Sequence, residues 1–376
     1  DRSVSRGLGD VYKRQITFTF FNTPCGIEKF DTSLLQLPAA DNASLSKAWR
    51  RLTADGACDT LIDDCLRLRE QLTLCDWGFL LLVEKVAETL YPKNANAQAF
   101  LTVALLNQCG YDTRLATSGS RILALYHPSH TIYGGSFYNI DDKPYYVRNA
   151  QGLKTLSTYN GDYRKSPTPI RMIMDRYPSL SPAAARQRQF SSYRWNDAPP
   201  IRTEVNSFVI DFLDSYPITD WHLYSLAPVS DALRTSIFPA MQVLTEGLTP
   251  VEAVDLILRF HYRAFQYMTD DEQFGREKPY FFDENYFYPY NDCEDRAIMF
   301  SRIVKDVLGY DVVLLKYPNH LAAAVRFPAG TGISGTSISV DGQRYYVCDP
   351  TCDAMRAGYL HPMFSTSNPT VYRIKQ

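Results

Sequence analysis

Cys293, His320 and Asp349 are the residues of this chain whose types and order could do chemistry together. Cys293 sits in Tyr290-Asn291-Asp292-Cys293-Glu294-Asp295-Arg296-Ala297, His320 follows Tyr317-Pro318-Asn319, and Asp349 stands between Cys348 and Pro350. A thiol with a pKa of ~8.5 is mostly protonated at neutral pH, so a nucleophilic cysteine needs an imidazole to take its proton, or a positive field. An aspartate completes such a set by accepting the other ring N–H and fixing the tautomer. The chemistry these three types support is acyl transfer.

The elements that must position them are readable from local pattern. After Cys293 the apolar residues Ala297, Ile298, Phe300, Ile303, Val304, Val307 and Leu308 recur at helical spacing until Gly309, which reads as a stop. Cys293 is thus expected at a helix N-terminus, where orphan N–H groups and the macrodipole lower a thiol pKa and can donate to an oxyanion. Glu294 and Asp295 suit a helix start but oppose a thiolate. Residues 311–317 form a short apolar run typical of a buried strand; a Pro-Asn turn then delivers His320 at the head of a second strand, 321–327. A Gly/Ser-rich loop and a further strand fill 332–340, Asp341-Gly342 makes a turn, and 343–348 makes a strand ending at Asp349. Antiparallel neighbours would bring His320 and Asp349 side by side.

A cysteine opening a helix, a histidine heading one strand and an aspartate ending another resembles the pattern of the transglutaminase-like superfamily. The resemblance covers roughly residues 248–352, and the segments 271–278 and 348–351 look like a Bacteroides-type bacterial branch of it. It implies an α+β fold, papain-like attack on an amide with Cys293 as nucleophile, His320 as base and Asp349 as orienting acid, and no required cofactor or metal. Hydrolysis through a Cys293 thioester is the expected outcome, with protein-crosslinking transamidation as an alternative. The implied partner is a peptide or protein, such as a cell-envelope peptide, and the implied location the bacterial periplasm or outside the cell. In related folds an upstream aromatic stabilises the oxyanion, for which Tyr288 and Tyr290 are the candidates.

An internal repeat sets the domain count. Gly110-Tyr111-Asp112 recurs as Gly309-Tyr310-Asp311, an offset of 199 (309 − 110), and Tyr145-Tyr146-Val147 recurs as Tyr345-Tyr346-Val347, an offset of 200 (345 − 145). The helical stretch 80–91 resembles 251–267, and the strand-like 16–20 resembles 208–212. The expected organisation is a tandem duplication of one α+β unit: a degenerate copy at 16–160, a Pro/Arg-rich linker at 161–205 with a short helix around 182–189, and the complete copy at 206–376. Mapped back, Cys293 falls on Asn94 and Asp349 on Asn149, while His130 matches His320 after a gap. The first copy should therefore be catalytically silent. A binding or scaffold protein using a cleft between the copies is the alternative from another class.

Composition bounds the rest. With 376 residues, 45% hydrophobic and 21% charged, the chain can bury two ordinary cores. A net charge of −2 argues against a nucleic-acid partner. Eight cysteines at irregular spacing make no disulfide framework; Cys348 and Cys352 are the nearest approach to a metal or disulfide pair. No run of ~20 apolar residues is present, so no membrane span is expected. Aromatic residues are concentrated at 279–290, where they could either grip an extended peptide or sugar or support the Cys293 helix. Residues 1–15 have no apolar periodicity and read as an adapter-derived segment, with the native start expected elsewhere.

Overall fold

The computed structural model describes residues 15–375, except 149, 151, 154, 162–167, 183–184 and 191–199. They form two compact units, one running through Met172 with Pro178–Ser181 added, the other taking Ile173–Tyr177 and everything from Pro182.

In the first unit a hairpin, β1 (Gln15–Phe20) and β2 (Thr23–Glu28), precedes helices α1 (Asn42–Thr53), α2 (Asp59–Gln71), α3 (Asp76–Leu90) and α4 (Ala95–Gln108). Helix α3 is apolar on most of its surface and almost wholly buried. Helix α4 starts where the Asn94 side chain accepts from the Ala97 N–H at 3.0 Å. Strands β3 (Thr113–Ser118), β4 (Arg121–Tyr126), β5 (Phe137–Ile140), β6 (Lys143–Val147) and β7 (Ser157–Thr158) make one antiparallel sheet in the order β5-β6-β4-β3-β7. Leu123, Leu125, Tyr145 and Val147 form the core on one of its faces.

The second unit opens with the hairpin β8 (Ala185–Phe190) and β9 (Ile201–Asn206), followed by α5 (Ser207–Asp214), α6 (Trp221–Leu226), α7 (Asp231–Thr245) and α8 (Pro250–Ala264). Helix α8 is fixed at its start by a Thr249–Glu252 capping box and a proline in its first turn. Short pieces follow: β10 (Gln266–Tyr267), α9 (Asp270–Phe274), α10 (Glu284–Phe287) and β11 (Tyr290–Asn291). They lead to α11 (Cys293–Ile303), which continues as a π-turn over Val304–Leu308 and stops at Gly309 in the left-handed region. Strands β12 (Asp311–Tyr317), β13 (His320–Arg326), β14 (Ser337–Val340), β15 (Gln343–Cys348) and β16 (Thr370–Arg373) form an antiparallel sheet in the order β14-β15-β13-β12-β16. Ala322 and Ala324 face its core cluster with Val313, Leu315 and Val347, so Leu321, Ala323 and Val325 turn to the other face, where α11 packs.

The two sheets thus have one strand order, and their registers agree. The pair Phe137↔Tyr146 has its counterpart in Ser337↔Tyr346, an offset of 200 at both members (337 − 137, 346 − 146). Ser118↔Arg121 closes the first β3–β4 turn where Tyr317↔His320 closes the second, an offset of 199 (317 − 118, 320 − 121).

Three local expectations are corrected. Residues 208–212 are helical, because Asn206 caps the Phe208 N–H at 3.0 Å and Val209, Ile210, Phe212 and Leu213 bury at helical spacing. Residues 185–190 are a strand rather than part of a helix, paired along their length with an alternately buried partner, Ile201, Thr203 and Val205. The stretch 161–205 is consequently no simple tether: Ile170, Met172, Met174 and Phe190 are buried, and β8 belongs to the second unit.

Candidate active site

Each triad residue stands at an element boundary of the second unit. Asp292 caps α11: its backbone N–H donates to Asp295 Oδ2 at 3.2 Å, leaving Cys293 as the first helical residue. The β12–β13 turn uses Pro318, whose ring fixes φ, and Asn319 at φ +53°, so that His320 begins β13. Strand β15 runs antiparallel to β13, with Ala323 opposite Cys348, which returns Asp349 to the His320 end.

The three are almost withdrawn from solvent, at 9% exposure for Cys293 and His320 and 4% for Asp349. His320 Nε2 lies 2.8 Å from Asp349 Oδ2. The other oxygen, Oδ1, accepts from the Thr351 N–H at 2.9 Å and hydroxyl at 2.6 Å. Burial opposes ionisation of Asp349, but the His320 and Thr351 donors outweigh it and hold the carboxyl below its ordinary range. An ionised carboxylate only accepts, so Nε2 carries a proton directed at Asp349. Phe364 stacks on the imidazole, centroids 4.7 Å apart and planes within 5°, covering one face of the ring.

The sulfur has a different setting from the one expected of a helix N-terminus. Cys293 Sγ donates to Glu294 Oε2 at 3.1 Å, and the Leu321 N–H, one residue past His320, faces it. Burial, the Glu294 charge and the Asp292 charge together push the thiol well above its usual pKa, against a smaller downward pull from Leu321. The resting group is a protonated thiol. Its surroundings are acidic: oxygens of Asp270, Asp292 and Asp295 lie within 4.8 Å of one another, as do those of Asp270, Glu277 and Glu294, and Asp292, Cys293 and Glu294 form a third such group. Burial and mutual repulsion raise Asp270, Asp292, Glu294 and Asp295, Asp270 to about 7, so protons occupy part of the cluster at neutral pH. The Arg296 guanidinium is committed to Asn291 Oδ1 at 2.8 Å and the Phe265 carbonyl at 3.0 Å.

Of the tyrosines expected at the oxyanion, Tyr288 is engaged with other groups, and Tyr290 is placed by its backbone. Tyr288 stacks on Tyr280 and interacts with Lys278, Glu284 and the carboxylates of Asp214 and Asp211. Tyr290 pairs through its backbone with Gln266. The Tyr267 phenol feels Cys293 and Asp292; although the residue is half exposed, partial desolvation of its phenol and those neighbours keep it protonated. With Tyr262, Phe265, Arg296 and Thr351 it lines an open cavity of about 510 Å³. The aromatic run 279–290 is mainly support: Tyr280, Phe281, Phe282 and Tyr286 are buried, and Glu284 beneath them binds Lys278. Sequence reasoning missed Tyr267 because it ended a stretch read as helix, whereas α8 stops at Ala264. It missed Phe364 and Asp270 because nothing local ties either to the triad.

The degenerate counterparts also shift. The shared hairpin register puts Arg121, not His130, in the place of His320. Matching the helix caps puts Asn94 on Asp292 (292 − 94 = 198) and Ala95 on Cys293; the extra residue before Gly309 is taken up by the π-turn. Asn149 lies outside the described residues. The Ile122 N–H, counterpart of the one facing Cys293 Sγ, donates to Asn96 Oδ1 at 2.8 Å. Cys348 and Cys352 are free thiols. Among the described residues no helix is long and apolar enough to cross a membrane. In comparisons with known proteins, no protein-family model, no curated protein and no solved structure matches the chain.

Proposed function

We propose that the second unit is a transglutaminase-like cysteine acyl-transfer enzyme acting on a peptide or isopeptide amide, with hydrolysis as its outcome. The first unit is then a duplicated copy without the chemistry. The observation that carries this reading is the buried His320–Asp349 hydrogen bond at 2.8 Å, whose neighbouring Leu321 N–H faces the sulfur of Cys293.

In the resting chain Sγ donates to Glu294, so His320 takes over the thiol proton once Sγ turns from that carboxyl toward the ring. His320 Nδ1 takes the thiol proton as Sγ bonds to the carbonyl carbon, while Nε2–H remains on Asp349. The carbonyl oxygen gains negative charge, for which the helix N-terminus and the Tyr267 phenol are the available donors. The imidazolium returns its proton to the nitrogen, the C–N bond breaks, and a thioester remains on Cys293. Water, deprotonated by the same imidazole, attacks the thioester, releasing a carboxylic acid and restoring the thiol.

A second reading has its own support: a buried thiol hydrogen-bonded to a carboxyl suits a unit that keeps the fold and binds without turnover. Incubation with a complex peptide library and mass-spectrometric profiling of new termini separates the two. Cleavages made by the wild type and absent with Cys293→Ala support the enzyme; identical peptide sets overturn it.

A further inference from the structure

The segment joining β15 to β16 lies at the His320 end of its sheet for a topological reason. Strand β15 ends on the His320 side, and β16 begins at Thr370, paired with Lys316 next to the β12–β13 turn. In the order β14-β15-β13-β12-β16 the connection must pass β13 and β12 to reach the sheet edge. Three strand spacings are ~14 Å, whereas the 21 residues 349–369 (369 − 349 + 1) could span ~70 Å, so the chain has slack to lie over this corner. Its first half is fastened. The Ala357 N–H donates to Asp255 Oδ1 at 2.7 Å, the Gly358 N–H donates to the Val347 carbonyl at 2.7 Å, and the Gly358 carbonyl accepts from the Thr336 N–H at 2.8 Å. A Cβ on Gly335 would meet the Gly358 carbonyl oxygen at 2.2 Å, which holds this crossing to glycine.

Beyond Gly358 the fastening is of another kind. Among the described residues, the hydrogen bonds made by 359–368 stay within the segment. A 3₁₀ turn over Pro362–Phe364 is closed by the Phe364 N–H on the His361 carbonyl at 2.9 Å, and the Ser367 N–H donates to the Phe364 carbonyl at 3.0 Å. Met363 is 69% exposed, whereas Phe364 turns inward, flat on the His320 ring and 5.3 Å from the ring of Tyr317. Leu360 packs on the same core cluster. Cys293 and His320 are buried, so an extended acyl donor reaches the sulfur only after a covering segment moves. The helix and strands that carry the triad are core elements; 359–368 is tied to them by two partly buried side chains, which places it at the low-stability end of the unit. We propose that residues 359–368 form a cover over the candidate site, held shut by Phe364 on the imidazole, and that its opening controls access to Cys293. The cover regulates the acyl transfer proposed above and rests on that reading for its role, while its opening is measurable without turnover.

Two rates on the full chain test it: hydrogen exchange at 359–368 read by mass spectrometry, and alkylation of Cys293 by iodoacetamide at about pH 9. Losing one aromatic pair in Phe364→Ala should raise both rates roughly tenfold, while Phe364→Tyr, which keeps the flat ring, should stay within about twofold of the wild type. Pro362→Gly, an exposed change that loosens the turn and leaves the core alone, should move both rates in the same direction, and it carries the test if Phe364→Ala fails to fold. Faster alkylation in these variants, with no chain acylated at Cys293 by p-nitrophenyl acetate, keeps the cover and removes the enzyme reading. Rates in Phe364→Ala and Pro362→Gly equal to the wild type overturn the proposal. So does exchange that quickens at 359–368 while Cys293 stays equally protected, because another element would then shield the sulfur.

Discussion

At the head of β13 stands His320, bonded to Asp349 and stacked on Phe364; at the head of β4, in the same register, stands Arg121. The helix N-termini beside them differ in the same sense. Cys293 opens α11 with the Leu321 N–H facing its sulfur, whereas Ala95 opens α4 and the matching Ile122 N–H is consumed by Asn96. One strand order supports both arrangements, so the topology fixes where a site can form, and a few residues at element boundaries decide what it can do. The carboxylates divide likewise. The second unit buries Asp270, Asp292, Glu294 and Asp295 around its sulfur, whereas the matching corner of the first has Ala95, Asn96 and Arg121.

The largest expected effect is on turnover. Cys293→Ala should reduce peptide cleavage to background, and His320→Ala should lower kcat by ~10²–10⁴-fold, with folding intact by circular dichroism in both. Arg121→His combined with Ala95→Cys in the first unit should add no activity to the Cys293→Ala chain, because Asn96 already occupies the N–H that would face the new thiol. Measurable cleavage by that triple variant would erase the contrast between the corners.

Stability should divide the units next. Lys278 and Glu284 are both buried and directly paired, and the Glu284 carboxylate also accepts from the Phe281 N–H at 2.9 Å. Glu284→Gln removes the buried partner of that ammonium and leaves it the half-exposed Asp214 at 3.1 Å, which should cost about 3 kcal/mol in denaturant unfolding. Glu88→Gln in the exposed Lys85–Glu88 pair of the first unit should cost no more than about 1 kcal/mol. Equal losses would mean that the Lys278 pair is as solvated as the surface one.

The sequence made most of the second site legible because its boundaries carry explicit signals. Gly309 ends a helix, Pro318-Asn319 and Asp341-Gly342 make turns, and 311–317 and 343–348 are strands within those limits. What was hidden depends on packing between distant segments. Phe364 reaches His320 from an irregular tail, and Asp270 reaches Asp292 through two short helices. The apolar run 208–212 has no period that separates strand from helix until Asn206 caps it. The counterpart of His320 was misread because a gap was opened to reach His130, when an ungapped register led to Arg121.

A smaller effect is pH dependence. Asp270 is raised in the folded chain from its ordinary 3.8 to about 7, by burial first and the Asp292 charge second. A carboxyl raised on folding adds stability that is complete below pH ~4 and is lost as pH rises through ~7. Unfolding of the second unit should therefore become easier over that window, by on the order of 2 kcal/mol, and Asp270→Asn should flatten the profile in differential scanning calorimetry. A wild-type profile already flat from pH 4 to 7 would remove the buried acid cluster from the description. The smallest shift concerns the sulfur itself. Alkylation of Cys293 should set in only at a higher pH than for an ordinary exposed thiol, and Glu294→Gln, which removes the carboxyl bonded to the sulfur, should move that onset down.

The most direct measurement is acylation of Cys293 by a donor small enough to reach a buried sulfur. The native chain is exposed to p-nitrophenyl acetate, quenched in acid and mapped by mass spectrometry. An acetyl group on Cys293 that hydroxylamine removes, absent in Cys293→Ala and formed ~10²-fold more slowly in His320→Ala, is the predicted result. No acetyl on Cys293, or the same rate without His320, would contradict a nucleophile served by this imidazole.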